Sequence, residues 1–163
     1  MRRTELPRLV EVLKAPLRRF VRESRVRIVV LVNGAGQVLA QHGFTRSYEV
    51  MNVASLAAAT HASSRKLAEL TGAGSWQHMY HGGTQQQLFM APLRTPVEEL
   101  ILVAIIDAES SLGIVRLFYD SLEKEVASLP EFAVVPEGTA QADFERDLEA
   151  GLEFIPPDAA SED

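Results

Sequence analysis

The stretch from residue 53 to residue 64 limits the possible folds more than any other part of this chain. Eight of its twelve positions are Ala or Ser, in the order Val-Ala-Ser-Leu-Ala-Ala-Ala-Thr-His-Ala-Ser-Ser. Such a run favours a helix, and side chains this small let a second backbone come close. At about 100° per residue, one stripe is typical of a core face and comprises Val53, Leu56, Thr60, Ser63, Leu67 and Leu70.

The other side of this predicted helix carries Met51, Ala54, Ala58, Ala62 and Arg65. A solvated helix face is normally rich in Glu, Lys and Gln, so we expect the alanine row to be touched by another backbone. The alternative is a small-residue helix packed inside one core.

Apolar periodicity and turn residues predict the remaining elements. A helix is expected over 5–24, with a kink or a restart at Pro16, and a third helix over 112–129. The second helix starts near Ser47 or Tyr48 and stops at Gly72. Strands are expected over 26–32, 37–42, 76–81, 86–91 and 98–106, with turns at 33–36, 82–84 and 92–96. This order predicts an α/β sandwich around a five-stranded antiparallel sheet.

Composition shifts divide the chain into a domain over 1–129, a linker over 130–142, a short acidic amphipathic helix over 143–155 and a disordered tail over 156–163. The short helix carries Phe144, Leu148 and Leu152 on its apolar side. It either caps its own domain or lies in a groove on a partner.

Charge is distributed unevenly, although the net charge is only −6. Residues 1–27 hold nine Lys and Arg against three acids, and residues 130–163 hold ten acids and only Arg146. No nucleic-acid motif or interleaved aromatics accompany the basic residues, so a nucleic-acid partner is not expected. No apolar run approaches the length that spans a bilayer, and no signal segment is visible, so no membrane partner and a cytoplasmic location are expected.

Residues that could carry chemistry are few. The absence of cysteine excludes thiolate metal sites and cysteine nucleophiles. His78 and His81 are three apart on a predicted strand and point to opposite faces, which does not suit a metal. Gly34-Ala35-Gly36 precedes a strand rather than a helix, and neither a P-loop nor a nucleophile elbow is present. We therefore expect no catalytic residues, no metal and no cofactor.

Several short motifs occur in a fixed order between residues 26 and 119. They are Gly36-Gln37-Val38-Leu39, Ser55-Leu56, Leu67-Ala68-Glu69-Leu70-Thr71-Gly72, His81-Gly82-Gly83 and Ser111-Leu112-Gly113-Ile114-Val115-Arg116-Leu117, the last following an apolar strand that ends at Asp107. In this order and spacing they resemble the roadblock family of dynein-light-chain-like domains, and within it the MglB-type regulators of bacterial gliding motility and cell polarity. The resemblance implies a roadblock/profilin-like sandwich with helices on both faces.

The resemblance also implies a homodimer in which the strand over 76–81 pairs with its symmetry mate, while two copies of the second helix lie antiparallel on one face. The implied dimer contacts are Ala54, His61, Trp76, His78 and Tyr80. The implied partner is a small Ras-like GTPase of the MglA type, whose GTP hydrolysis the dimer accelerates without an arginine finger. The residues of this chain that are implied to contact the GTPase are Ala58, Ala62, Arg65, Lys66, Phe144, Leu148 and Leu152.

Two features depart from the family pattern. MglB-type sequences stay small for another turn beyond Ala62, whereas this chain has Arg65 and Lys66. The long basic first helix with Pro16 is also unmatched. The alternative function is a roadblock scaffold that assembles larger complexes without affecting nucleotide hydrolysis; an enzyme or ligand sensor on the same fold is disfavoured by the lack of converging polar residues.

Overall fold

The computed structural model describes residues 6–44 and 49–133. The helices are α1 (Leu6–Ser24), α2 (Val50–Thr71) and α3 (Leu112–Ala127), followed by a short 3-10 helix at Pro130–Phe132. The strands are β1 (Ile28–Val32), β2 (Val38–Gly43), β3 (Met79–Gly82), β4 (Gln87–Arg94) and β5 (Glu99–Ile106). The predicted acidic helix over 143–155 and the tail lie outside the described residues.

The five strands form one antiparallel sheet in the order β2-β1-β5-β4-β3. β1 and β5 are apolar at nearly every position because both faces of the sheet are covered where they lie. β2 and β3 are the edge strands and are more exposed. The predicted five-stranded antiparallel sheet with helices on both faces is therefore confirmed.

Each face of the sheet has its own core. α1 and α3 pack side by side on one face, over alternate sheet residues that include Val29, Phe89 and Leu102. On the other face, α2 is the one helix of the described residues, and it packs over Ile28, Val30 and Val103. The alternation of side chains along β1 and β5 thus supplies both layers.

Helix α1 runs through Pro16 as a single element of 19 residues rather than restarting there. Proline removes one hydrogen bond from the helix ladder and normally kinks or ends a helix. Leu9 and Leu13 before Pro16, and Leu17 and Phe20 after it, are all buried in the same core. Packing on both sides of the proline keeps the two halves in one helix.

Turn chemistry fixes the β1–β2 hairpin at the predicted place. The Asn33 side-chain oxygen accepts hydrogen bonds from the backbone N–H groups of Ala35 and Gln37, at 3.1 and 3.0 Å. Gly36 has a φ of +79°, in the region that glycine adopts without strain. Gly72 ends α2 in the left-handed conformation, as predicted.

Three boundaries differ from the prediction. β3 begins at Met79, so Trp76 and His78 belong to the preceding loop. β4 continues through Pro92 instead of turning there. The pairing of β3 with β4 ends at Met90, so Pro92 pairs with β5 on one side only, and a proline fits in a strand at such a position. Phe132, in the predicted linker, is 1% exposed and belongs to the α1–α3 core.

Candidate association surface on helix α2 and strand β3

Helix α2 rests on the sheet through its small side chains. Ala54 is fully buried, and Ala57, Ala58 and His61 are also buried. The predicted orientation of this helix is wrong, because Ala54 and Ala58 of the alanine row face the sheet of their own chain, while Ala62 is exposed. Beneath the helix lie large β-branched residues of β1 and β5, and methyl groups complement them where longer side chains would hold the helix away.

The approach between α2 and the first hairpin is close. A Cβ atom placed on Gly36 would lie 3.3 Å from the Cα of Ser55 and 3.6 Å from the Cβ of Ala58. Small residues on both sides of this contact set the distance between helix and turn. The second backbone that the alanine row implied is thus found within the same chain.

The outward side of α2 carries an exposed apolar stripe, which we call the leucine stripe. It consists of Leu56, Leu67 and Leu70, which are 68%, 63% and 74% exposed. Sequence reasoning found these residues but assigned them to the core, because periodicity alone does not distinguish a core face from an association face. Full burial of one leucine is worth about 1.5–3 kcal/mol, so the leucine stripe is a substantial surface for association.

The last turns of α2 extend beyond the part of the helix that is packed on the sheet. No residue of α2 after His61 is fully buried. Below these turns lies an open cleft of about 360 Å³. Its lining includes Arg65, Glu69, Trp76, Arg94 and Glu99.

His61 marks the end of the packed half of the helix. Its Nε2 atom lies 2.9 Å from Oε1 of Glu99 at the start of β5, and its ring meets that of Trp76 edge-on at 4.9 Å. Its Nδ1 atom is buried and has no hydrogen-bond partner among the described residues. Burial lowers the pKa of His61 below its ordinary value, and the nearby Glu99 carboxylate opposes that shift only in part.

Arg94, at the end of β4, links the loop before β3 to strand β5 and to helix α3. Its Nη2 atom donates to the backbone oxygen of Trp76 at 2.9 Å. Its Nε atom lies 3.5 Å from Glu99, and its Nη1 atom lies 3.9 Å from Glu123 of α3. Neither Arg94 nor Glu99 was singled out from the sequence, since only the β4–β5 register places them opposite each other.

Strand β3 has one neighbour, β4, and its other edge is unpaired within the described part of the chain. Tyr80 is 41% exposed, and the His78 ring stacks on Phe89 at 5.8 Å. An open edge presents free N–H and C=O groups that can pair with a further strand. Over residues 6–44 and 49–133, nothing covers the leucine stripe or this outer edge of β3.

The structure separates the predicted contact residues into three groups. Ala54, Ala58 and His61 are buried against the sheet of their own chain, so they offer almost no surface to a partner. Trp76 and His78 are half-buried in the loop before β3. The exposed members are Ala62, Arg65, Lys66 and Tyr80; Phe144, Leu148 and Leu152 lie outside the described residues.

Over residues 6–44 and 49–133, no group of His, Asp and Glu side chains is arranged to hold a metal ion. Within the same ranges no helix is both long and apolar enough to cross a membrane.

The roadblock/LC7 domain family model matches residues 14–105, which is more than half of the chain. The chain therefore belongs to the roadblock/LC7 domain family. The match begins inside α1, so the first turns of that helix lie outside the family pattern. No curated protein matches the sequence at a significant level.

Solved structures resemble this chain over most of their length. MglB of Myxococcus xanthus is 27% identical with a TM-score of 0.70, over 78% of this chain and 94% of that one. The gliding protein MglB of Thermus thermophilus is 26% identical with a TM-score of 0.65, over 76% and 92%. A roadblock/LC7 domain from Streptomyces avermitilis, 20% identical with a TM-score of 0.56 over 71% and 92%, shares the fold. The resemblance to MglB drawn from the sequence motifs is confirmed.

Proposed function

We propose that this protein is a homodimeric regulator of a small Ras-like GTPase, acting as a GTPase-activating partner in cell polarity or gliding motility. The observation that carries the proposal is that, among the described residues, both the leucine stripe of α2 and the outer edge of β3 are left without a partner. A helix face this apolar is costly to leave in water, and a single-chain domain rarely keeps one without a partner. The similarity to MglB structures supports the same assignment.

In the proposed dimer, β3 pairs with β3 of a second copy and extends the sheet across both subunits. Pairing satisfies the free N–H and C=O groups of two edges at once and removes an aggregation hazard. The two α2 helices then lie on the same face of the joined sheet, where the leucine stripes supply apolar contact area.

The proposed GTPase contacts are the exposed residues Ala62, Arg65 and Lys66, together with Phe144, Leu148 and Leu152. Lys66 pairs with Glu69 at 2.9 Å, and Arg65 lines the cleft below the end of α2. This end of the helix suits a partner surface that carries acids. The regulator contributes no reacting group and no arginine finger, and it acts by positioning the catalytic residues of the GTPase.

The test is GTP hydrolysis by the cognate Ras-like GTPase of the same organism, measured as phosphate release with saturating full-length chain. Ala62→Arg places a large cation on the proposed contact surface and should abolish the acceleration while the dimer remains. Ala15→Arg is the matched control, since Ala15 is an exposed helical alanine on the α1 side of the sheet. It should leave the acceleration unchanged.

If hydrolysis does not change with wild-type protein, the activating role is wrong. A complex that forms without any change in hydrolysis would support the scaffold function instead. If Ala62→Arg separates the dimer into monomers, this part of α2 belongs to the dimer and not to the GTPase.

A further inference from the structure

The hydrogen bond between His61 and Glu99 defines which protons the imidazole carries. A carboxylate accepts hydrogen bonds only, so Nε2, at 2.9 Å from Glu99 Oε1, must hold a proton and donate it. In the neutral ring the other nitrogen, Nδ1, then has a lone pair and no proton. Nδ1 is buried and faces no hydrogen-bond partner among the described residues.

A second proton on the ring would have to go to Nδ1. That would create a buried N–H donor with no acceptor, which costs about 1–3 kcal/mol, and more when the group is charged. The charged groups that face the ring are Glu99 on β5, Arg94 on β4 and Arg65 on α2 itself. Glu99 favours the added charge, but it is shared with Arg94, and both arginines oppose it. The packed arrangement around His61 is therefore specific for the neutral ring.

The ring position is coupled to the edge strand through the loop that precedes β3. The Trp76 ring packs edge-on against His61, and the Trp76 backbone oxygen is held by Arg94. Two residues after Trp76 the loop ends, and the chain enters β3 at Met79. A change at His61 that displaces Trp76 would therefore reach the strand proposed to pair with the second copy.

We propose that His61 is a positioning residue that makes self-association through β3 sensitive to pH: the neutral ring holds Trp76 and the loop in place, and the protonated ring releases them. This inference rests on the dimer of the proposed function. It adds a regulatory input, proton concentration, to that dimer.

The direction of the effect follows from where the proton binds more tightly. In the packed arrangement the pKa of His61 is below its ordinary value of 6.5, and in the released arrangement it returns towards that value. The released, weakly associating form therefore binds more protons. The dimer has its full affinity above pH 6.5. Its affinity falls as the pH drops below 6.5, down to the lowered pKa that His61 has in the packed form. The dissociation constant should rise by up to about tenfold per subunit for each pH unit in that window.

The experiment measures the dimer dissociation constant of the full chain by sedimentation at about pH 7.5 and about pH 5.8. The wild-type dimer should weaken several-fold at the lower pH. His61→Gln keeps a donor for Glu99 but does not titrate, so its dissociation constant should change far less with pH. His42→Gln, on the edge strand β2, is the matched control and should behave like wild type.

The competing sources of a pH effect are His78, in the loop directly before β3, and His81, on β3 itself. If His61→Gln retains the pH dependence of the wild-type chain, the inference is overturned, whether His78→Gln or His81→Gln removes that dependence. It is also overturned if wild-type affinity is the same at both pH values. Absence of any dimer at about pH 7.5 would instead contradict the proposed function.

A second measurement covers the case in which His61→Gln fails to fold. The imidazole resonances of the wild-type chain, followed by NMR through the same pH range, should show His61 titrating below its ordinary pKa of 6.5 in step with dimer loss. Far-UV circular dichroism should stay constant over that range. A His61 resonance that titrates at its ordinary pKa, or general unfolding in place of dissociation, would overturn the inference.

Discussion

At the residue scale, Gly43 is a position where a side chain would collide with the backbone of the described fold. Its φ is +107°, and a Cβ atom there would lie 2.4 Å from the backbone oxygen of Arg27 and 2.9 Å from the Cα of Ile28. Both are backbone atoms of the paired segment and have no flexible end to move. Gly43→Ala should therefore lower the free energy of unfolding by about 1–3 kcal/mol, as measured by urea denaturation.

Gly34 is the matched control for this substitution. It lies in the turn of the same hairpin, and a Cβ atom there would meet nothing within 4 Å. Gly34→Ala should change the free energy of unfolding by no more than about 0.5 kcal/mol. Equal losses of unfolding free energy in the two variants would contradict the claim that the close backbone approach excludes a side chain at Gly43.

The error in the predicted orientation of α2 also arises at the residue scale. A stripe with Leu56, Leu67 and Leu70 is the usual mark of a core face, whereas Ala54 and Ala58 offer little apolar area. The sheet beneath the helix is formed by large β-branched residues, so small helix residues fit closely against it. The inward side of α2 could have been predicted only from the residues of the helix together with those of the sheet beneath it.

At the scale of elements, strand β3 provides a test of edge pairing. The Gly83 N–H donates to the oxygen of Gln86 at the end of the β3–β4 hairpin. Hydrogen-bonded and non-hydrogen-bonded pairs alternate along antiparallel strands, so the Tyr80 N–H points away from β4. Tyr80→Pro removes an outward donor only, and should abolish the dimer in sedimentation while the circular dichroism spectrum is retained.

The control for this variant is His81→Pro. Its N–H points towards β4, so the substitution should disrupt the hairpin and lower thermal stability, which Tyr80→Pro should not. A Tyr80→Pro protein that remains dimeric would show that the outer edge of β3 is not the pairing edge.

Prediction of the elements succeeded where the signal was local. The turn at Asn33 and Gly36 and the helix stop at Gly72 were located because backbone conformation there depends on the residue itself. It failed where distant packing decides the outcome. Of the kink or restart expected at Pro16, the restart does not occur, because leucines on both sides are held in one core. Pro92 stays in β4, where the β3–β4 pairing ends before reaching it.

At the scale of the whole described domain, the two faces of the sheet differ in kind. The face under α1 and α3 is covered by two helices that also contact each other, and Arg19 of α1 pairs with Glu125 of α3. The other face has only α2, whose outward side is apolar and whose last turns extend past its packed half. The first face stabilises the domain, and the second is the one that we propose associates.

The fold at this scale followed from the order of helices and strands and from the roadblock motifs, and the family match agrees with it. The candidate surface followed only in part. The sequence placed it on the second helix and the third strand, but it named the buried Ala54 and Ala58 and left the leucines in the core. The hydrophobicity of a side chain predicts that the side chain is buried, but it does not predict whether the same chain or a partner chain buries it.

The most direct test of this account is the molar mass of the full chain in sedimentation equilibrium, compared with two matched variants. Leu56→Lys places a charge in the leucine stripe, and Leu117→Lys places one on α3; both leucines are 68% exposed. Neither change should affect the free energy of unfolding of the monomer by more than about 0.5 kcal/mol.

We predict a dimer for the wild-type chain and for Leu117→Lys, and a dissociation constant raised at least about tenfold for Leu56→Lys, since losing one buried leucine and burying a charge exceeds about 1.4 kcal/mol. Three proteins of the same mass at every concentration, or a loss confined to Leu117→Lys, would contradict the claim that the outward face of α2 is the association surface.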